Sequence, residues 1–131
     1  MGPVDWLAVG LGTLAFFLVG ALWYGVLFGR IWARETGVTE PPSGPAMARI
    51  MGLTLLCEFI VVAMLAHLIA RTQPPPHVRL MMAEGFAGAI MIPAVGINYL
   101  HQRKSLTLFL IDAGHYLVGM AVVGAIFVWR A

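Results

Sequence analysis

The run Leu106 to Trp129, LTLFLIDAGHYLVGMAVVGAIFVW, limits what this chain can become more than any other stretch. About 20 apolar residues, rising about 1.5 Å each, cross a bilayer as a helix, and this run is long enough. It nevertheless carries Asp112, His115 and Tyr116 inside the span. An ionisable side chain near the membrane centre costs at least about 2.5 kcal/mol on insertion scales, so it turns toward protein or water and points to a functional site. Three other apolar runs have the same character. Spans are expected at 4–28, 47–70, 78–100 and 105–129. The expected fold is therefore all-α, an integral membrane four-helix bundle occupying 1–131 as one domain. Its third helix should kink at Pro93, where the missing N–H would free the carbonyl of Ala89.

Composition agrees with a membrane chain. Hydrophobic residues make up 60% and charged residues 11%, and the mean hydropathy is +0.88; a soluble domain needs far more polar surface. With 131 residues and short linkers, no room remains for a separate soluble domain, so any chemistry lies within or beside the bundle. The net charge of +2 comes from Lys and Arg spread over several loops, which suits anionic headgroups and gives no argument for nucleic acid. The single cysteine, Cys57, cannot form an intrachain disulfide and is expected to be a small buried hydrophobe. The first span is expected to be retained and not cleaved as a signal peptide. No basic residue precedes it, it is longer than an h-region, and Trp23 and Tyr24 stand near its end.

Ala21, Gly25 and Gly29 recur every four residues and suggest a stripe for close helix packing. The segment Gly29 to Pro45 reads as the one sizeable loop, with Pro41, Pro42 and Pro45 excluding a long helix. Within it Arg30, Trp32 and Arg34 form an interfacial anchor, the indole at headgroup level and the guanidiniums on phosphates. The side holding the first and third loops carries five basic residues, Arg30, Arg34, Arg49, Arg103 and Lys104. The other side has three, Arg71, Arg79 and Arg130. By the positive-inside rule both termini are expected outside the cytoplasm, in a bacterial inner membrane.

The unusual residues fall at one depth when counted from the first-loop side. Trp23 and Tyr24 lie about 9 to 11 Å in, Asp112 about 10 Å, Pro93 about 12 Å, Glu58 about 13 Å and His115 about 15 Å. Asp112, His115 and Tyr116 share a helix face by their spacing. Adding Glu58, Trp23 and Tyr24 gives two carboxylates, an imidazole and aromatic rings. Such a set could relay protons or bind a cation with cation–π help. It could equally be interhelical glue that binds nothing. Two carboxylates and one His could ligate a metal, but no paired His or Glu-x-x-His spacing supports this, so no metal and no cofactor is expected. Nearer the opposite face, His67 and Glu84 reach similar depth across the second turn and are expected to pair.

GALWYGVLFGRIW at the end of the first helix and LTLFLIDAGHYLVGMAVVGAI in the last resemble the signature segments of a family of small bacterial four-helix membrane proteins, domain-of-unknown-function family 1761. The resemblance covers nearly the whole chain. It marks Trp23, Tyr24, Phe28, Gly29 and Trp32, and then Leu108, Phe109, Asp112, Ala113, Gly114 and Tyr116 to Gly119. In that pattern Ser usually stands at Gly25, Asn or Asp at Asp112 and Tyr at His115, so the resemblance implies no mechanism that demands a titrating imidazole. It implies the architecture and leaves the activity open. The sequence reading is then a binding or transport module whose buried acidic, His and aromatic residues take a proton, a cation or a small amphipathic ligand. The competing reading is a non-catalytic accessory or assembly subunit of a membrane complex. No nucleophile–base pair argues for an enzyme. Expected partners are the lipid bilayer, further copies of the chain in a homo-oligomer, and another membrane protein.

Overall fold

The computed structural model describes residues 3–131. Its helices are α1 (Trp6–Leu22), α2 (Gly29–Thr36), α3 (Gly44–Thr72), α4 (Pro76–Gly85), α5 (Ile92–Gln102) and α6 (Leu106–Trp129). Two π-helical stretches join them: Trp23–Leu27 extends α1, and Phe86–Met91 fuses α4 to α5. Four continuous helical rods result, Trp6–Leu27, Gly44–Thr72, Pro76–Gln102 and Leu106–Trp129, each long and apolar enough to cross a membrane. The chain is a multi-pass all-α membrane bundle.

Local chemistry fixes the ends of these rods. Asp5 accepts from the Ala8 amide at 3.0 Å and starts α1, and Ser105 accepts from the Leu108 amide at 3.1 Å and starts α6. Each cap satisfies a first-turn donor that the helix cannot serve itself. Pro45 and Pro76 occupy first-turn positions, where a missing N–H costs nothing.

The third rod absorbs Pro93 by widening, not by an open break. The Ile92 amide reaches back five residues to the Ala87 carbonyl. On that register the carbonyl that Pro93 cannot serve belongs to Gly88 and not to Ala89. The segment expected to be loop also differs: Gly29–Thr36 is a helix, ended by Gly37 in the left-handed conformation at φ 75°. Pro41 and Pro42 interrupt only the residues after it, and Pro45 lies in the first turn of α3.

The last helix is the hub. Its buried residues run from Leu108 to Phe127, and α1 and α4 pack on it from two sides. Glycines let them approach. A Cβ on Gly119 would sit 2.6 Å from Phe16 of α1, and one on Gly124 would sit 2.8 Å from Leu80 of α4. By contrast the expected stripe on the first helix is not used in this way: Gly25 has nothing within 4 Å, and Ala21 is exposed.

The second rod, α3, joins the core at one end only. The carboxyl-terminal half of α3 buries Val62, Leu65, Ala66 and Ile69 in the same core as Val9, Phe16, Ala83, Met120 and Phe127. The amino-terminal half, from Gly44 to Cys57, buries nothing. Cys57 is thus exposed on the helix surface, contrary to the buried position expected for it. All four rods share one core on the side of the termini, and on the side of the first loop α3 alone splays away.

Candidate functional site

The π-helical stretch after α1 aims two consecutive side chains at α6. Trp23 donates its indole N–H to the Ile111 carbonyl at 2.8 Å. Tyr24 donates its hydroxyl to Asp112 Oδ1. The widened turn, marked by the Phe28 amide on the Trp23 carbonyl at 2.8 Å, lets neighbouring residues face one partner. Gly114 makes room for the indole, since a Cβ there would lie 2.8 Å from Trp23 Cζ2.

The second oxygen of Asp112 accepts from the hydroxyl of Tyr99 on α5. Asp112 is buried, and its two oxygens are each engaged by a phenol from a different rod. Tyr99 is the residue that sequence reasoning left out of the site. Only 13 residues separate it from Asp112 across the last turn, so the hairpin places both near one depth, and the long phenol covers what remains.

His115 lies one turn further along α6. Its ring centroid is 5.1 Å from Tyr24 and 5.3 Å from both Phe16 and Tyr116. Its buried Nε2 has no hydrogen-bond partner among the described residues and faces Gly20, where a Cβ would stand 3.1 Å away. Asp112 and His115 share a face as their spacing requires, yet they are not bonded to each other.

Glu58 is in a different place. It lines a crevice of about 520 Å³ at the splayed end, walled by Phe16 of α1, by Thr54 and Cys57 of α3, by Met91 before α5, and by His115 and Tyr116 of α6. The residue is buried, and its Oε2 has no partner among the described residues. The layer expected from depth alone therefore divides in two. Trp23, Tyr24, Tyr99 and Asp112 form a closed polar tie, Glu58 and Tyr116 belong to the crevice, and His115 stands between them.

The remaining expected residues are dispersed. His67 bonds its own helix through Nδ1 to the Ala63 carbonyl at 2.8 Å and meets the edge of Trp6 at 5.7 Å. Glu84 keeps a buried Oε1 without a partner, so the His67–Glu84 bond expected across the turn is absent among the described residues. The reason is packing: α4 lies mainly on α6 and barely on α3. Arg30 and Arg34 are exposed on α2, while half-buried Trp32 covers Tyr24 at 6.2 Å between ring centroids. No group of three His, Cys, Asp or Glu side chains close enough to hold a metal occurs among the described residues.

The profile of the family described as Protein of unknown function (DUF1761) matches residues 7–128. The chain belongs to the DUF1761 family. No curated protein and no solved structure matches it. The match takes in the crevice and the Asp112 tie of this DUF1761 chain, but stops short of Asp5 and Arg130 at its two ends.

Proposed function

We propose that this protein is a membrane-embedded binding module that takes a small cationic amphiphile from the lipid into the crevice between α1, α3 and α6. The observation that carries this reading is Glu58: a buried carboxyl with an unpartnered oxygen, on the wall of a mostly apolar cavity. A carboxylate out of water without a partner is unfavourable by several kcal/mol. No Lys or Arg lines the crevice, so its walls offer Glu58 no counter-charge, and a ligand cation would supply one. The aromatic rings of Phe16 and Tyr116 offer contact to an organic cation. The proposal includes self-association in a bacterial inner membrane, with both termini outside the cytoplasm as the basic residues argue.

A structural role is favoured for Asp112 alone, because two phenols already use both of its oxygens. That is the accessory-subunit reading confined to one tie. One experiment separates the two. Wild type, Glu58→Gln and Asp112→Asn are placed in phosphatidylcholine nanodiscs and titrated with dodecyltrimethylammonium, following tryptophan fluorescence and the rate of N-ethylmaleimide reaction at Cys57. Saturable binding that slows Cys57 modification is expected in wild type, at least about tenfold weaker in Glu58→Gln. Equal affinity in wild type and Glu58→Gln refutes the proposal.

A further inference from the structure

A second cavity lies at the other end of the molecule, where α1 begins, α3 and α6 end and α4 begins. It holds about 320 Å³. Its floor is apolar and buried, made by Ala66, Ile69, Ala70 and Phe127. Its rim is polar, formed by Asp5, Gln73, Arg79 and Arg130. The rim thus sets two guanidiniums against one carboxylate.

Both arginines are held in place by part of their donor set. Arg79 donates from Nη1 to the Phe127 carbonyl at 3.2 Å and from Nε to the Pro74 carbonyl at 3.4 Å. Arg130 donates from Nε to Asp5 Oδ2 at 2.9 Å and from Nη2 to Asp5 Oδ1 at 3.3 Å. Among the described residues, Nη2 of Arg79 and Nη1 of Arg130 have no hydrogen-bond partner. A guanidinium fixed by some of its donors presents the rest with little further ordering, which suits a phosphate. The level is also right. Asp5 immediately precedes one rod and Arg130 immediately follows another, and exposed Trp6 and Trp129 stand beside them, as aromatic residues do at the headgroup boundary.

We infer that this cup is a binding site for the phosphate group of an anionic lipid, held by Arg79 and Arg130, with the start of the lipid's apolar part on the Ala66–Ile69–Phe127 floor. The apolar floor favours a lipid over free phosphate, which has nothing to lay there. The Asp5–Arg130 pair moderates the site, because Asp5 holds two donors of Arg130 that would otherwise be available. The site is separate from the Glu58 crevice and does not depend on its function.

The test uses the full chain in nanodiscs of phosphatidylcholine alone, of phosphatidylcholine with phosphatidylglycerol, and of phosphatidylcholine with added inorganic phosphate. Thermal unfolding and native mass spectrometry of retained lipid are the readouts. Phosphatidylglycerol is expected to stabilise wild type and to be retained by it. Retention should fall about fivefold in Arg79→Gln and in Arg130→Gln and stay unchanged in Lys104→Gln at the opposite end. Asp5→Asn keeps an oxygen to cap α1 while releasing Arg130, and should raise retention. Equal retention in wild type and both arginine variants overturns the proposal. Stabilisation by inorganic phosphate equal to that by phosphatidylglycerol overturns the lipid assignment and makes the site one for free anions. Should the arginine variants not fold, Asp5→Asn decides, and unchanged retention in it overturns the proposal.

Discussion

Tyr24 hydroxyl donates to Asp112 Oδ1 across 88 positions of sequence, binding the first rod to the last. With Tyr99 on the other oxygen, one carboxyl joins three of the four rods. Hydrogen bonds between membrane helices are each worth about 0.6 to 1.7 kcal/mol. Tyr24→Phe and Tyr99→Phe should each destabilise the bundle by about that amount in detergent unfolding. Asp112→Ala should cost more than either, because it orphans both phenols. A double-mutant cycle between Tyr24→Phe and Asp112→Asn should show coupling; additive effects would deny the tie.

Two glycine substitutions should move in opposite directions. Gly119→Ala forces a methyl within 2.6 Å of the Phe16 ring, which is buried. Overpacking of this kind costs about 1 to 3 kcal/mol. Gly10→Ala meets nothing within 4 Å on an exposed face of α1 and should stabilise the helix by up to about 1 kcal/mol. Unfolding in the same detergent compares the two directly.

Glu58→Leu should make the protein more stable while removing its ligand. An unpartnered buried carboxyl is a standing cost to the fold, and an apolar side chain of similar size removes it. A gain of about 1 to 3 kcal/mol in unfolding, together with loss of alkylammonium binding, is expected. A loss of stability would mean that Glu58 is a structural contact.

The pH response of the rod ends follows from Asp5. The hydrogen bonds from Arg130 hold its carboxyl below the ordinary carboxylate range, with the α1 cap bond adding to the effect. A group depressed in the folded state stabilises above its unfolded pKa of about 3.9, and that contribution is lost as pH falls through the lower folded value. The stability difference between wild type and Asp5→Asn should therefore be constant from about pH 7 to pH 5 and shrink below about pH 4. Hydrogen exchange at the first turn of α1 reads the same loss locally.

The four rods were legible because hydropathy, caps and prolines act along the chain. The expected spans 4–28, 47–70, 78–100 and 105–129 meet Trp6–Leu27, Gly44–Thr72, Pro76–Gln102 and Leu106–Trp129 within a few residues. Depth was legible for the same reason, and it brought Trp23 and Tyr24 to the level of Asp112. Azimuth was not. In lipid an apolar face costs the same against a tail as against a neighbour, so the sequence hides which rod lies beside which. Depth alone therefore groups Glu58 with Asp112, although one lines the crevice and the other is bonded to Tyr24 and Tyr99. The widened turns escaped too, since Gly25 and Gly88 are common residues and the change of register lies in the backbone.

The long α3 is gripped only from Glu58 onward, so its first half is a cantilever about 21 Å long, fixed at its root. Swinging it by about 5° would shift its tip by about 2 Å and change the width of the crevice that Ile50, Leu53 and Thr54 line. Glu58 stands at the root of that lever, so under the proposed reading a cation held on its carboxyl would sit where the two halves of α3 meet.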